Sequence, residues 1–150
     1  MNSPCAGPNP ILKVVLDACI LKLATLPNDD NPAALIVALA EVGKIEAWAS
    51  PAILEEYATV LAAEPETLAL IQDRVQLCFP ITNLRVVRHE PDNRFVECAL
   101  AIEAEFLITV NTARGHFDRS HYGATMVVTP GEFVNSPTVN PLLRNLADND

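Results

Sequence analysis

The sequence predicts one α/β domain, a three-layer α/β/α arrangement around a parallel sheet of about five strands. Short β-branched runs alternate with helical stretches along the chain, the pattern of successive βαβ units. The first run, Ile11-Leu12 and Val14-Val15-Leu16, is nearly continuous in apolar character, which suits a strand covered on both faces. The 150 residues, half of them hydrophobic, suffice for one core, since a chain of this size buries roughly 68–70% of its unfolded surface.

Residues 1–10 carry Pro4, Pro8 and Pro10 and read as an irregular tail ahead of a domain over 11–135. After the first strand, Ala18 to Thr25 reads as a short helix and Leu26 to Asn31 as a loop. Pro32 suits the first turn of a helix carrying Leu35, Ile36 and Leu39 on one face, and Gly43 closes it. Ile45 to Ala49 reads as a second strand. Ser50-Pro51 is a helix start, with Ser as cap and Pro in the first turn, and the helix runs to about Ala63. Pro65 opens another, through about Leu77. Leu84 to Arg88 reads as a third strand, Asn93 to Ala104 as a helix, Phe106 to Val110 and Thr125 to Val128 as further strands. Thr129-Pro130-Gly131-Glu132 is a capping box before a last short helix. From Ser136 the chain is polar and contains prolines, so 136–150 reads as a tail.

Composition excludes several classes. Lys13, Asp17 and Lys22 interrupt the best apolar run, so none reaches the ~18 residues of a membrane helix. The start, MNSPCAGPNP, has neither a basic region nor an apolar stretch, which points away from a secretory signal and toward a cytoplasmic protein. Cys5, Cys19, Cys78 and Cys98 show no CxxC spacing and read as free thiols, three of them inside apolar segments. The net charge of −9 argues against a broad basic face for duplex DNA.

Candidate chemistry sits at strand ends, because ligands of open α/β sheets bind outside the carboxyl ends of the strands. Asp17 follows the first strand and Asp92 follows the third. A glutamate of the helix after strand two can join them. With the apolar stripe centred near Tyr57, Glu55 lies roughly 160° away and Glu56 roughly 100° away, so Glu56 borders the buried face. Carboxylates gathered at one point repel, and a divalent cation with oxygen preference, Mg²⁺ or Mn²⁺, removes that cost. Each acid also has a plain structural alternative: Asp17 and Asp92 as helix caps, Glu56 as an ordinary flank carboxylate. Glu97 lies roughly 170° from its helix's apolar face, which predicts exposure to solvent.

LDACIL at Leu16–Leu21, SPAILEEYATVL at Ser50–Leu61, PDNRFVECALAIEAEFLIT at Pro91–Thr109 and VVTPGEFV at Val127–Val134 together resemble the PIN-domain family. The nearest likeness is to the toxin components of toxin–antitoxin pairs. The resemblance implies a Mg²⁺- or Mn²⁺-dependent ribonuclease acting on RNA, with a cognate antitoxin and homodimerisation as associated partners. It also implies that Asp17, Glu56 and Asp92 are the metal-holding acids, with Thr109 and Asn111 completing the catalytic set.

Two departures stand out. The family's fourth acid falls in a T-x-D motif, which here reads Thr109-Val110-Asn111 and brings no charge. Cys19 stands where the family commonly has Asn, so a polar contact near Asp17 is expected to be lost. In the following loop, Arg114, His116, Arg119 and His121 stand close in sequence; the first three are candidates for RNA phosphates, or else members of a solvated loop. A zinc site on His116 and His121 lacks a matching pair, and Asp118 is a remote substitute for the missing acid. The runner-up function is a PIN-fold binding module with weakened or lost catalysis. A phosphohydrolase with Asp17 as covalent nucleophile is disfavoured, because Cys19 occupies the place of the usual second Asp.

Overall fold

A computed structural model describes residues 11–27, 31–81 and 83–148. The predicted N-terminal tail, Cys5 and the middle of the Leu26–Asn31 loop lie outside the described residues. Among the described residues, six strands form one sheet in the order β3-β2-β1-β4-β6-β5. They are β1 (Leu12–Leu16), β2 (Ile45–Ala49), β3 (Gln76–Leu77), β4 (Phe106–Ile108), β5 (His121–Tyr122) and β6 (Thr125–Val128). Every pairing is parallel except the short antiparallel one between β5 and β6. The helices are α1 (Ala18–Ala24), α2 (Pro32–Glu41), α3 (Pro51–Val60), α4 (Pro65–Arg74), α5 (Asn93–Ala101), α6 (Pro130–Val134) and α7 (Asn140–Asp148). This is the predicted α/β class with a central, mostly parallel sheet.

β1 is central, and Val14, Val15 and Leu16 are almost wholly buried. Each such side chain contributes roughly 1.5–3 kcal/mol by leaving water, which is why the continuous apolar run suits this position. The predicted caps are made. Ser50 Oγ accepts from the Ile53 N–H at 3.3 Å, and Thr129 with Glu132 forms the reciprocal capping box. Asn31 also caps α2, accepting from the Ala33 and Ala34 N–H groups.

Four expectations need correction. Leu84–Arg88 is not a strand. Its backbone donors go to side chains instead: Leu84 N–H to Glu97 Oε2 (2.7 Å), and Val86 and Val87 N–H to Asn93 Oδ1 (both 2.9 Å). The third strand is Gln76–Leu77, inside the stretch expected to continue the helix from Pro65. Glu97 is buried, not exposed, because that irregular segment covers the outer flank of α5, and Arg94 pairs with it at 3.0 Å. Within 136–150, Asn140–Asp148 forms α7 and Val139 is buried ahead of it, so polar composition there hid an amphipathic helix.

The end of α5 explains its early stop. The Ala104 N–H donates to Ala99 C=O (2.9 Å) and Glu103 N–H to Leu100 C=O (3.3 Å), the double bond of a Schellman turn. Glu103 takes the left-handed position at φ 55, where glycine is the usual residue.

Candidate active site

The carboxyl edge of the sheet is where β1 and β4 deliver polar residues. Leu16 pairs with Ile108, so the next residues, Asp17 and Thr109, emerge side by side. The Asp17 N–H donates to Ile108 C=O (3.0 Å) and the Thr109 N–H to Val128 C=O (3.0 Å), which locks both backbones to the sheet. Asp17 begins α1 but its side chain does not cap it. Instead Oδ2 accepts from Thr109 Oγ1 (2.6 Å), Asn111 Nδ2 (3.2 Å) and Cys19 Sγ (3.3 Å). Among the described residues no protein group donates to Oδ1, which leaves that oxygen for a ligand. Thr109 is itself held, accepting the Asn111 N–H at 2.9 Å.

Cys19 therefore keeps a contact with Asp17, against the expectation that Cys in place of Asn loses it. Burial first, and the neighbouring Asp17 charge second, push its thiol up to about 12, so at neutral pH it remains the S–H donor this contact requires.

Glu56 lies on α3 beside Tyr57, whose hydroxyl donates to Leu16 C=O at 2.6 Å and ties the helix beneath the end of β1. Glu56 is half-buried and lines the same pocket as Asp17 and Asp92, whereas Glu55 is exposed and does not.

Asp92 ends a 3₁₀ turn (Glu90–Asp92) just before α5, and it too makes no side-chain cap. It is buried between two imidazoles: Oδ1 lies 3.3 Å from His89 Nδ1 and Oδ2 lies 2.9 Å from His116 Nδ1. The two rings lie with centroids 4.8 Å apart and their planes tilted by 43°. The loops that carry them are joined through the His89 N–H, which donates to Gly115 C=O at 2.8 Å. Gly115 holds φ +93, a conformation that favours glycine, and Asp118 accepts its N–H at 3.2 Å. Asp118 is thus occupied in shaping the loop and does not line the pocket.

Asp17, Glu56, Asp92, Asn111, His89 and His116 line one pocket of about 410 Å³, with Lys22 as a cationic member of its wall. Thr109 is fully buried behind Asp17. The three acids share the pocket, but the one tight set of metal-donor atoms among the described residues is His89, Asp92 and His116, all within 4.8 Å of one another. Arg114 and Arg119 are exposed on the loop, with Arg119 over the Tyr122 ring at 5.6 Å, and neither lines this pocket. His121 is exposed and meets Ser120, apart from His116.

His89 was not singled out from sequence. The available signal was His89-x-x-Asp92 around a turn-forming Pro91, but its meaning depends on His116, which is distant in the chain.

A mostly parallel sheet with a buried acid at the end of its central strand, and a second acid on the wall of the same pocket, places that pocket where open α/β sheets bind ligands. The PIN domain family model matches residues 13–113, more than half of the chain, and the chain belongs to the PIN-domain family. No curated protein and no solved structure matches it.

Proposed function

We propose that the chain is a divalent-metal-dependent endoribonuclease, the toxin of a toxin–antitoxin pair. The carrying observation is that Asp17 and Asp92 face one pocket while neither side chain caps the helix it precedes, so helix capping does not account for either carboxylate. The donor set fits Mg²⁺ or Mn²⁺: hard carboxylate oxygens on facing walls, with Asp17 Oδ1 unclaimed by protein donors among the described residues. Asp17, Glu56 and Asp92 would hold the cation. Bound there, it supplies a nucleophilic water near neutral pH and stabilises charge building on phosphorus.

The remaining steps belong to side chains. Thr109 and Asn111 fix the Asp17 carboxylate through Oδ2 and so aim Oδ1 outward. Lys22 on the wall, with Arg114 and Arg119 on the neighbouring loop, would supply the positive groups that an RNA phosphate needs on a chain of net charge −9, and His116 of the same loop would supply a hydrogen-bonding ring nitrogen. Asn111 in place of a fourth acid favours the alternative, a PIN-fold module acting by binding to protein or RNA.

Cleavage of a mixed single-stranded RNA pool by wild type and Asp17→Asn, each with Mn²⁺ or with EDTA, separates these readings. Metal-dependent cleavage that disappears in the variant is expected. Cleavage that survives in Asp17→Asn, or in EDTA, overturns the nuclease assignment of this pocket. Silence of the wild type together with no Mn²⁺-induced rise in Tm favours the binding module.

A further inference from the structure

We propose that His89, Asp92 and His116 form a site for a borderline divalent transition metal such as Zn²⁺, Co²⁺ or Ni²⁺, selected over Mg²⁺. The three donor atoms lie within 4.8 Å of one another, and the two imidazole-to-Asp92 spacings are those of neighbouring ligands on one ion. Nδ1 of His89 and Nδ1 of His116 lie 3.3 and 2.9 Å from the two oxygens of Asp92. Ligands on adjacent positions around an ion with bonds of about 2.0–2.2 Å stand about 3.0–3.5 Å apart. Two imidazoles with one carboxylate suit the borderline metals, whereas Mg²⁺ favours oxygen donors and water.

The three ligands are held by backbone, not by one another alone. His89 N–H bonds Gly115 C=O, Asp92 N–H bonds His89 C=O at 3.0 Å, and His116 N–H bonds Ala113 C=O at 3.0 Å. The side chains grade from a buried Asp92 to a half-exposed His89, and all three line the pocket. Three protein ligands with an open side are the arrangement of a site that admits water or a substrate oxygen. The site shares Asp92 with the proposed nuclease centre but needs neither RNA nor cleavage to exist.

The chain carries three histidines, and the third, His121, stands outside the cluster and serves as an internal control. Untagged, chelator-stripped full-length protein is titrated with Co²⁺ and with Zn²⁺, following the visible Co²⁺ spectrum and the binding heat, alone and under excess Mg²⁺. Wild type should take up one ion with nitrogen ligation and retain it against Mg²⁺. Loss of even an outer partner of a metal ligand costs about 10–100-fold in affinity, so His89→Ala and His116→Ala should each weaken binding by at least about tenfold. His121→Ala should bind as wild type does. His89 is half-exposed, so its variant is expected to keep the fold, which circular dichroism of the metal-free proteins verifies. Three results overturn the site: no Co²⁺ or Zn²⁺ uptake by wild type, unchanged affinity in both cluster variants, or displacement by Mg²⁺. The first would leave the two imidazoles as hydrogen-bond donors to Asp92 and nothing more. A chain that binds Co²⁺ through these histidines but cuts no RNA keeps this site and loses the nuclease reading; RNA cleavage without imidazole-dependent Co²⁺ binding does the reverse.

Discussion

Asp17 and Asp92 face one pocket from walls built in different ways. Asp17 stands on the sheet: its backbone is bonded to β4, and one oxygen takes three side-chain donors, of which Thr109 is placed by strand register, Asn111 is tied to Thr109 and Cys19 sits in the first turn of α1. Asp92 stands on loops. Its surroundings come from an irregular segment and a glycine-containing turn, and its two partners are imidazoles. The sheet wall offers a rigid oxygen; the loop wall offers a mixed nitrogen and oxygen set whose geometry depends on two loops staying together. Rigidity of the first and dependence of the second make distinct predictions.

The largest stability effect is expected on the loop wall, at Asn93. This residue is fully buried, accepts from Val86 and Val87 N–H and donates to Val87 C=O and Glu90. Asn93→Ala strands those groups and should cost about 3 kcal/mol by denaturant unfolding. Hydrogen exchange should quicken over 84–92 while β1 and β4 remain protected; uniform loss of protection would show that the walls are not separable. On the sheet wall, Thr109→Val removes the shortest donor to Asp17, and a lost bond to a charged group should cost about 2 kcal/mol, read from the urea midpoint.

Asn111→Asp sharpens the comparison. It replaces a 3.2 Å hydrogen bond to Asp17 with a like charge, so metal-free stability should fall by about 1–2 kcal/mol while the Mn²⁺-induced rise in Tm grows. An unchanged metal response would detach position 111 from the site. A smaller change of opposite sign is expected far from both walls. Glu103→Gly relieves the left-handed position ending α5 and should stabilise by about 1 kcal/mol.

Alkaline pH tests the core that supports the sheet wall. Burial, and then the neighbouring Cys78, pushes the Cys98 thiol above its ordinary 9.0; burial, and then Cys98, Asp17 and Cys19, pushes the Tyr57 phenol above its ordinary 10.0. As pH rises past these ordinary values the unfolded chain releases protons that the folded chain retains. Stability from these groups is therefore complete below about pH 9 and falls above it. Tm at pH 8 should exceed Tm at pH 10.5, and Tyr57→Phe should narrow the difference.

The same contrast explains what could be read from the residues alone. β1, β2, the Ser50 and Thr129 caps and Asp17 follow from short-range patterns, and Glu56 follows from helical phase. The 84–88 segment has strand composition, but its donors were claimed by Asn93 and Glu97, residues several positions away whose pairing no local period reveals. Glu97 was misplaced for the same reason, since an exposed helix flank became a covered one. His89 and His116 meet only because two loops close on Gly115, and the two-residue β5 is too short to carry a period at all.

The most direct test of the account is RNA cleavage by Asp17→Asn, Asp92→Asn and the double variant in Mn²⁺. On the proposed reading the two walls serve one centre, and the effects of residues that act as a unit are far from additive. Each single change should lower the rate by on the order of 10²–10³, and the double variant should be no slower than the worse single. Rates that multiply, or a single variant cutting as wild type does, would contradict a shared centre in this pocket.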